Sequence, residues 1–363
     1  MTRAYNTATT QQNTGGAVTP FTVGKNAIIN GDFFINQRGF TSNTADNTYN
    51  FDRWFTQNFG GTYTITPQTF TPGAAPVAGY EGRKYMQAIT ASQSAAGHLA
   101  VFTQRIEDVT RFAGQTVTIS FWAKADTGTP KIGVELYRNY GTGGSPSASE
   151  TASASSITLT TSWARYSVTV AVPSLSGKTL GTTANTSFLE LSLWQSAGAN
   201  YNARSATTGI QNFTFSLWGV QVEAGSVATP FQTATGTIQG ELAACQRYYE
   251  KSYAQATAPQ TNTTVNRVNI ANHFGSATGI SSATVFLKVT KRSTPTITLY
   301  RSDGSATNPN YWEYTVGTTE TYANPTVANT GDNNFSVGFN GTASGTANNA
   351  TLIRGHFVAE AEL

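Results

Sequence analysis

From residue 25 to about 232 the chain repeats one pattern: short runs that alternate apolar and polar residues, separated by clusters of Gly, Ser, Asn and Pro. A period of two sends successive side chains to opposite faces of an extended strand, so each run buries one face and turns the other outward. Residues 116–124 direct Val117, Ile119 and Phe121 one way and Thr118, Ser120, Trp122 and Lys124 the other. Residues 132–139 place Ile132, Val134 and Leu136 inward against Glu135 and Tyr137. Residues 188–195 place Leu189, Leu191 and Leu193 inward against Glu190, Ser192 and Trp194, and residues 166–172 bury Tyr166, Val168, Val170 and Val172. Many such strands punctuated by turn residues predict an all-β protein built on an antiparallel sandwich.

Composition narrows the function classes. Charged residues make up 11% of the chain, against roughly 25% in an average soluble domain, and 34 Gly, 16 Tyr and 20 Phe stand among abundant Thr, Ser and Asn. Neutral, hydroxyl-rich sheets follow, and helix-rich classes are disfavoured. The net charge of +3 comes without any Lys/Arg run, so no electrostatic footprint for nucleic acid exists. One cysteine, Cys245, cannot form an intramolecular disulfide, and His98, His273 and His356 without a CxxC pair cannot build a zinc cage. The first twenty residues lack the apolar core of a signal peptide, and no stretch reaches the roughly 18 apolar residues of a membrane span. Synthesis in a cytoplasm, without membrane insertion, is the expectation.

Four segments follow from texture. Residues 1–24 are polar and without period, an extended attachment arm or else a frayed terminus. Residues 25–235 form the sandwich, within which 141–156 and 176–186 are too polar to pack and read as mobile surface loops. Residues 236–258 are a junction with a short helix, because Leu242, Cys245 and Tyr249 recur at helical spacing. Residues 259–363 resume strand texture as a second, smaller β-domain, with the last strand at 352–361.

Little in this chain points to catalysis. A glycan hydrolase needs two carboxylates about 5 to 10 Å apart on a cleft floor, and only Glu135 and Glu190 occupy comparable outward positions, where they serve equally as hydrogen-bonding sheet carboxylates. No GxSxG elbow occurs and each His stands alone, so no catalytic residue is nominated and a non-enzymatic protein is expected. Sugar binding fits better, because rings that stack on pyranose faces need neither metal nor net charge. Outward Trp122, Tyr137 and Trp194, with Glu135 and Glu190 between them, are the candidates; a loop or a second subunit covering the same rings is the competing account. Asn30, Asp32 and Glu223 are candidate ligands for a structural Ca2+ that clips first and last strands, though the same residues serve as turn hydrogen-bonders.

Several motifs occur in a telling order. Asn26-Ala27-Ile28-Ile29-Asn30-Gly31-Asp32-Phe33-Phe34-Ile35-Asn36-Gln37-Arg38-Gly39 is followed by Phe51-Asp52-Arg53-Trp54, then by Ser162-Trp163-Ala164-Arg165-Tyr166-Ser167-Val168. Leu217-Trp218-Gly219-Val220-Gln221-Val222-Glu223-Ala224-Gly225, Ala228-Thr229-Pro230-Phe231 and the stretch from Gly240 through Tyr248-Tyr249-Glu250-Lys251 complete the series. Together they resemble the carbohydrate-binding-module-like jelly rolls of bacteriophage tail fibres and other virion appendages, over about residues 26 to 251. The resemblance implies a jelly-roll, localisation in the virion, attachment to other virion proteins through the arm, a homotrimer, and host-surface attachment through envelope polysaccharide. It equally accommodates an architectural capsid decoration or head fibre without ligand. A glycan depolymerase and a secreted lectin are the remaining classes. No ligand contact carries over from the family, and the last 110 or so residues match no motif.

Overall fold

The computed structural model describes residues 10–12, 18–20 and 24–363, apart from 78–79, 274–280, 317–318 and 340–349. Two antiparallel sheets face each other across the main core. One runs in the spatial order Glu150–Thr158, Lys131–Asn139, Phe188–Ala197, Leu99–Ile106, Phe55–Phe59, Thr48–Tyr49. The other runs Ala164–Ala171, Thr116–Ala125, Thr214–Ala224, Lys84–Ala91, Thr62–Thr69. The alternation read from the sequence sets the layer between them: Val117, Ile119, Phe121, Ile132, Val134, Leu136, Leu189, Leu191 and Leu193 are buried in one cluster. Full burial of a side chain of this size contributes about 1.5–3 kcal/mol, so this layer dominates the stability of the sandwich. Tyr166 and Val168, expected in the core, are only partly buried, because Ala164–Ala171 is an edge strand with a single neighbour.

Two expectations are corrected. The polar stretch 141–156 is not all loop: Glu150–Thr158 is a strand, paired in register with Lys131–Asn139 from Thr158 opposite Lys131 to Ile157 opposite Ile132 and onward. Small Ser, Ala and Thr side chains let an edge strand form without an apolar face of its own. The remaining turn is tied to residues 176–186 by backbone bonds from Thr182 N–H to Gly143 O (3.1 Å), Thr183 N–H to Thr142 O (2.9 Å) and Ser147 N–H to Thr179 O (2.9 Å). The junction helix spans Ile238–Gln246, capped by Thr237, whose hydroxyl accepts from Gly240 N–H at 3.0 Å. It ends before the paired tyrosines, since Tyr249–Lys251 is already a strand of the next sheet.

In the C-terminal unit the long strand Ala350–Glu360 is the hub: Tyr249–Lys251, Val268–His273, Thr296–Tyr300 and Trp312–Val316 all pair with it. Ser281–Phe286, Asn334–Phe339 and Thr326–Ala328 form a second sheet. Trp312, Phe335, Val337, Ile353 and Phe357 fill the space between. The protein is therefore all-β, a jelly-roll sandwich followed by a helical junction and a smaller sandwich. The expected arm lies largely outside the described residues; its two described pieces, Thr10–Gln12 and Val18–Pro20, pair antiparallel. Among the described residues no helix is long and apolar enough to cross a membrane.

The two units are joined by polar contacts, buried at Asp52 and Arg53 and open to solvent at Glu360. Arg53 lies 3.4 Å above the Tyr248 ring and pairs with Glu362, while Arg38 lies 3.9 Å above Tyr249 and pairs with Glu360 at 2.8 Å. Asp52, fully buried, accepts from the Gln37 backbone N–H (2.7 Å) and side-chain amide (2.6 Å), and that amide also donates to Tyr249 O at 2.9 Å. Tyr49 donates its hydroxyl to Leu363 O.

Candidate functional site

The outer face of the six-stranded sheet collects four of the five residues expected to bind a ligand. Register puts Ser192 opposite Glu135 and Glu190 opposite Tyr137, with Trp194 next along the same face. On the other flank Ser192 faces Thr103 and Glu190 faces Arg105, and Thr103 in turn faces Phe55. The face thus reads, across the strands, Thr151, Tyr137 and Glu135, then Glu190, Ser192 and Trp194, then Arg105 and Thr103, then Phe55.

Its charges are spent on one another. Glu135, fully buried, receives Arg204 Nε (2.9 Å) and Nη2 (3.1 Å), Trp194 Nε1 (3.0 Å) and the Thr151 hydroxyl (2.6 Å). Glu190 receives Arg105 Nε (3.0 Å) and the Ser192 hydroxyl (2.9 Å). Each carboxylate is a fixed acceptor with a guanidinium partner, and neither is presented as a free acid or nucleophile. The Arg204 guanidinium sits 4.6 Å from the Tyr137 ring centre and 5.1 Å from that of Trp194; Arg105 sits 4.7 Å from Phe188 and 5.3 Å from Phe55. What faces solvent is half-buried rings, Tyr49, Phe55, Tyr137, Phe188 and Tyr201, over a neutralised bed.

Two of the expected platforms are corrected. Trp194 is 2% exposed, because residues 199–205 fold over it and the Tyr201 ring packs against it, tilted by 35°, at 5.6 Å between ring centres. Gly133 makes this cover possible: a Cβ there would lie 2.5 Å from Ser205 O. Trp122 lies on the opposite sheet, on the outer face of Thr116–Ala125, half-buried among Phe70, Trp163, Trp218 and Phe231. The five candidates therefore do not make one surface. Sequence reasoning missed Tyr201 and Arg204, which sit in short helical turns without strand period, and it missed Arg105 and Phe55, whose runs it did not read as strands.

The calcium candidates do not converge either. Asn30 spends its side chain on Ile35 N–H (2.9 Å), Ile35 O (2.8 Å) and Asp52 O (3.2 Å), and Glu223 is held by Lys25 (2.8 Å) and the Thr229 hydroxyl (2.7 Å). Their oxygens do the work of turn and strand-end hydrogen bonding, as Asx residues in turns do. Among the described residues no group of three or more His, Cys, Asp or Glu is placed to hold a metal. Asp32 lines a separate cavity with Tyr80, Thr237 and Glu241; burial and then the nearby Glu241 push its carboxyl up to about 6. The histidines are spread: His98 accepts from Ser94 N–H (3.1 Å), and His356 is buried between Ser252 (2.9 Å) and Thr263 O (3.0 Å). His273 ends the strand Val268–His273, and its side chain lies outside the described residues.

No family model matches the chain, and no curated protein matches it. Solved structures similar to it include one described as CBM4, with 19% identity over 54% of this chain and 98% of that one, at a TM-score of 0.31. A family 11 carbohydrate-binding module from Clostridium thermocellum, in complex with a β-1,3-1,4-mixed-linked tetrasaccharide, has 11% identity over 52% and 98%, at 0.30. The enzymatically active domain of tailspike protein 4 of bacteriophage CBA120 has 14% identity over 55% of this chain and 22% of that one, at 0.32. Likenesses at these scores assign neither a family nor a ligand.

Proposed function

We propose that this is a non-enzymatic virion appendage protein that attaches to the host surface by binding envelope polysaccharide through the outer face of its six-stranded sheet. The observation that carries the reading is the pairing of charge on that face. With Glu135 held by Arg204 and Glu190 by Arg105, the face offers ring planes and fixed hydrogen-bonding groups without net charge. That chemistry suits the alternating apolar and hydroxyl faces of a sugar ring. The virion setting and the homotrimer are supported by the order of the motifs from Asn26 to Lys251.

Binding of purified protein to isolated host envelope polysaccharide tests the reading. Tyr137→Ala and Tyr201→Ala should each weaken binding by about 1–3 kcal/mol, the scale of aromatic anchor truncations. Unchanged binding in both variants refutes this face as the site. Preincubation of host cells with the protein should block adsorption of particles, and light scattering should give a trimeric mass. A second reading, an architectural decoration without ligand, is favoured by the exposed apolar side chains Val227, Phe286, Phe59 and Ile238, which suit packing between subunits. Absence of any cell or glycan binding by the folded protein would select it.

A further inference from the structure

We infer that the cleft between the sandwich and the junction helix is a binding site for a small ligand bearing an oxyanion, a carboxylate or a phosphate, received by Arg111. The cleft has a volume of about 270 Å3 and is lined on its polar side by Asn26, Gln104, Arg105, Glu107, Arg111 and Arg247. All but one of these are satisfied within the protein. Arg247 forks onto Glu107 at 3.1 and 3.2 Å, and Tyr248 donates to the same carboxylate at 3.0 Å. Arg105 is taken by Glu190 and by Leu363 O. Gln104 closes both ends of its amide on the Ile29 backbone at 2.8 Å, and Asn26 donates to Val220 O and Gln232 O at 3.0 Å.

Arg111 is the exception. Among the described residues its guanidinium makes no ion pair; the neighbouring Phe112 ring lies 5.3 Å from its central carbon, and Tyr248 is its nearby phenol. Asp108, three residues earlier, is taken by the backbone N–H and hydroxyl of Thr110. Burial draws the Arg111 guanidinium below its ordinary value. A half-buried cation with five N–H donors and no counter-charge among the described residues has given up part of its hydration without recompense, and an oxyanion from solution offsets that loss. Residues 1–23, which lead into Gly24 at the rim, contain no Asp or Glu and supply no such charge themselves. The volume lies just below the usual range for drug-sized ligand pockets, about 300 to 1,000 Å3, and suits a single sugar acid or a glycerol phosphate rather than a polymer segment. The cleft shares Arg105 with the glycan face, but Arg105 is already taken by Glu190 and Leu363 O and Arg111 is not among the residues of that face, so the inference stands whether or not the face binds polysaccharide.

Calorimetric titration of the full chain at low ionic strength with glucuronate, inorganic phosphate and glucose tests it. Saturable binding of either anion, with none of glucose, is expected; glucuronate alone identifies a carboxylate ligand, phosphate alone a phosphorylated one. Arg111→Gln should weaken the binding at least about tenfold, while Arg111→Lys retains part of it. The bound anion should also raise the melting midpoint of the unaltered protein with increasing concentration, a readout that does not depend on either variant folding. No saturable binding of either anion at millimolar concentration, or equal binding by a folded Arg111→Gln protein, overturns the inference.

Discussion

Lys291→Met should be among the most damaging single changes in the C-terminal unit, and its cost can be worked from the contacts. Lys291 and Glu250 are both buried, with side chains 0% and 1% exposed and 2.7 Å between Nζ and Oε2. The ammonium spends its remaining donors on Gln246 O (2.7 Å) and Val289 O (2.6 Å). Without it, Glu250 keeps only the backbone N–H groups of Lys288 (2.9 Å) and Val289 (3.3 Å) against an uncompensated buried charge. Removing one partner of such a pair costs about 3–5 kcal/mol, and two orphaned carbonyls, each about 1 kcal/mol or more, place the loss at the upper end. Adding Glu250→Gln removes the stranded charge, but Lys288 and Val289 donate to different carboxylate oxygens, so the single amide oxygen accepts from only one of them and the double variant should recover part of the loss. Urea denaturation followed by circular dichroism measures all three proteins. A single-variant loss below about 1 kcal/mol, or a double variant no more stable than the single, would refute the assignment of Lys291 as the obligatory counter-charge.

Trp194→Ala should lower stability by about 3–5 kcal/mol, the range for truncating a buried Trp, because Trp194 lies under Tyr201 and donates to Glu135; a thermal melt that does not move contradicts its buried role. Chelation with EDTA should leave the melting midpoint unchanged, since Asn30 and Glu223 are occupied by protein hydrogen bonds. The Asp32 carboxyl titrates near 6 in the folded chain against 3.8 ordinarily, so the folded state binds the extra proton and this group adds stability as pH falls from about 6 toward 3.8. Asp32→Asn should therefore be stabilising at pH 8 by about 2 kcal/mol, the shift discounted for partial exposure, and neutral below pH 4. Burial holds His356 below its ordinary 6.5, so its contribution runs the other way: stability is lost as pH falls from 6.5 through the folded value. His356→Gln should flatten that acid-side slope in equilibrium unfolding measured from pH 7 to 5.

The sandwich was legible because strand period and core position are the same fact: Val117, Ile119, Phe121, Leu189, Leu191 and Leu193 point inward by parity alone. The motif series is legible for a different reason. Asn30, Gln37, Asp52, Arg53, Tyr248 and Tyr249, scattered over some 220 residues, meet at the joint between the two units. Parity also showed which residues leave the core, yet it could not say which sheet a strand joins or what lies on top of it. Trp122 and Trp194 share the same outward parity and end on opposite faces of the molecule, one of them covered by residues 199–205. Edge strands carry the weakest signal, as the Ser/Ala/Thr strand Glu150–Thr158 shows, since pairing on one side and small side chains leave no apolar alternation to detect.

The hub strand of the C-terminal unit has a consequence for how the chain is made. Ala350–Glu360 is the latest of its sheet to be synthesised, while the four strands that flank it, beginning with Tyr249–Lys251, precede it by up to about a hundred residues. Those strands do not complete their ladders until the hub emerges, so their open edges are exposed to neighbouring chains during that interval. The sandwich, whose last strand Thr214–Ala224 is made well before, can close on its own first. Assembly is thus timed from the front of the molecule to the back, and the final contacts, Glu360 and Glu362 on Arg38 and Arg53, lock the two units only when both are built.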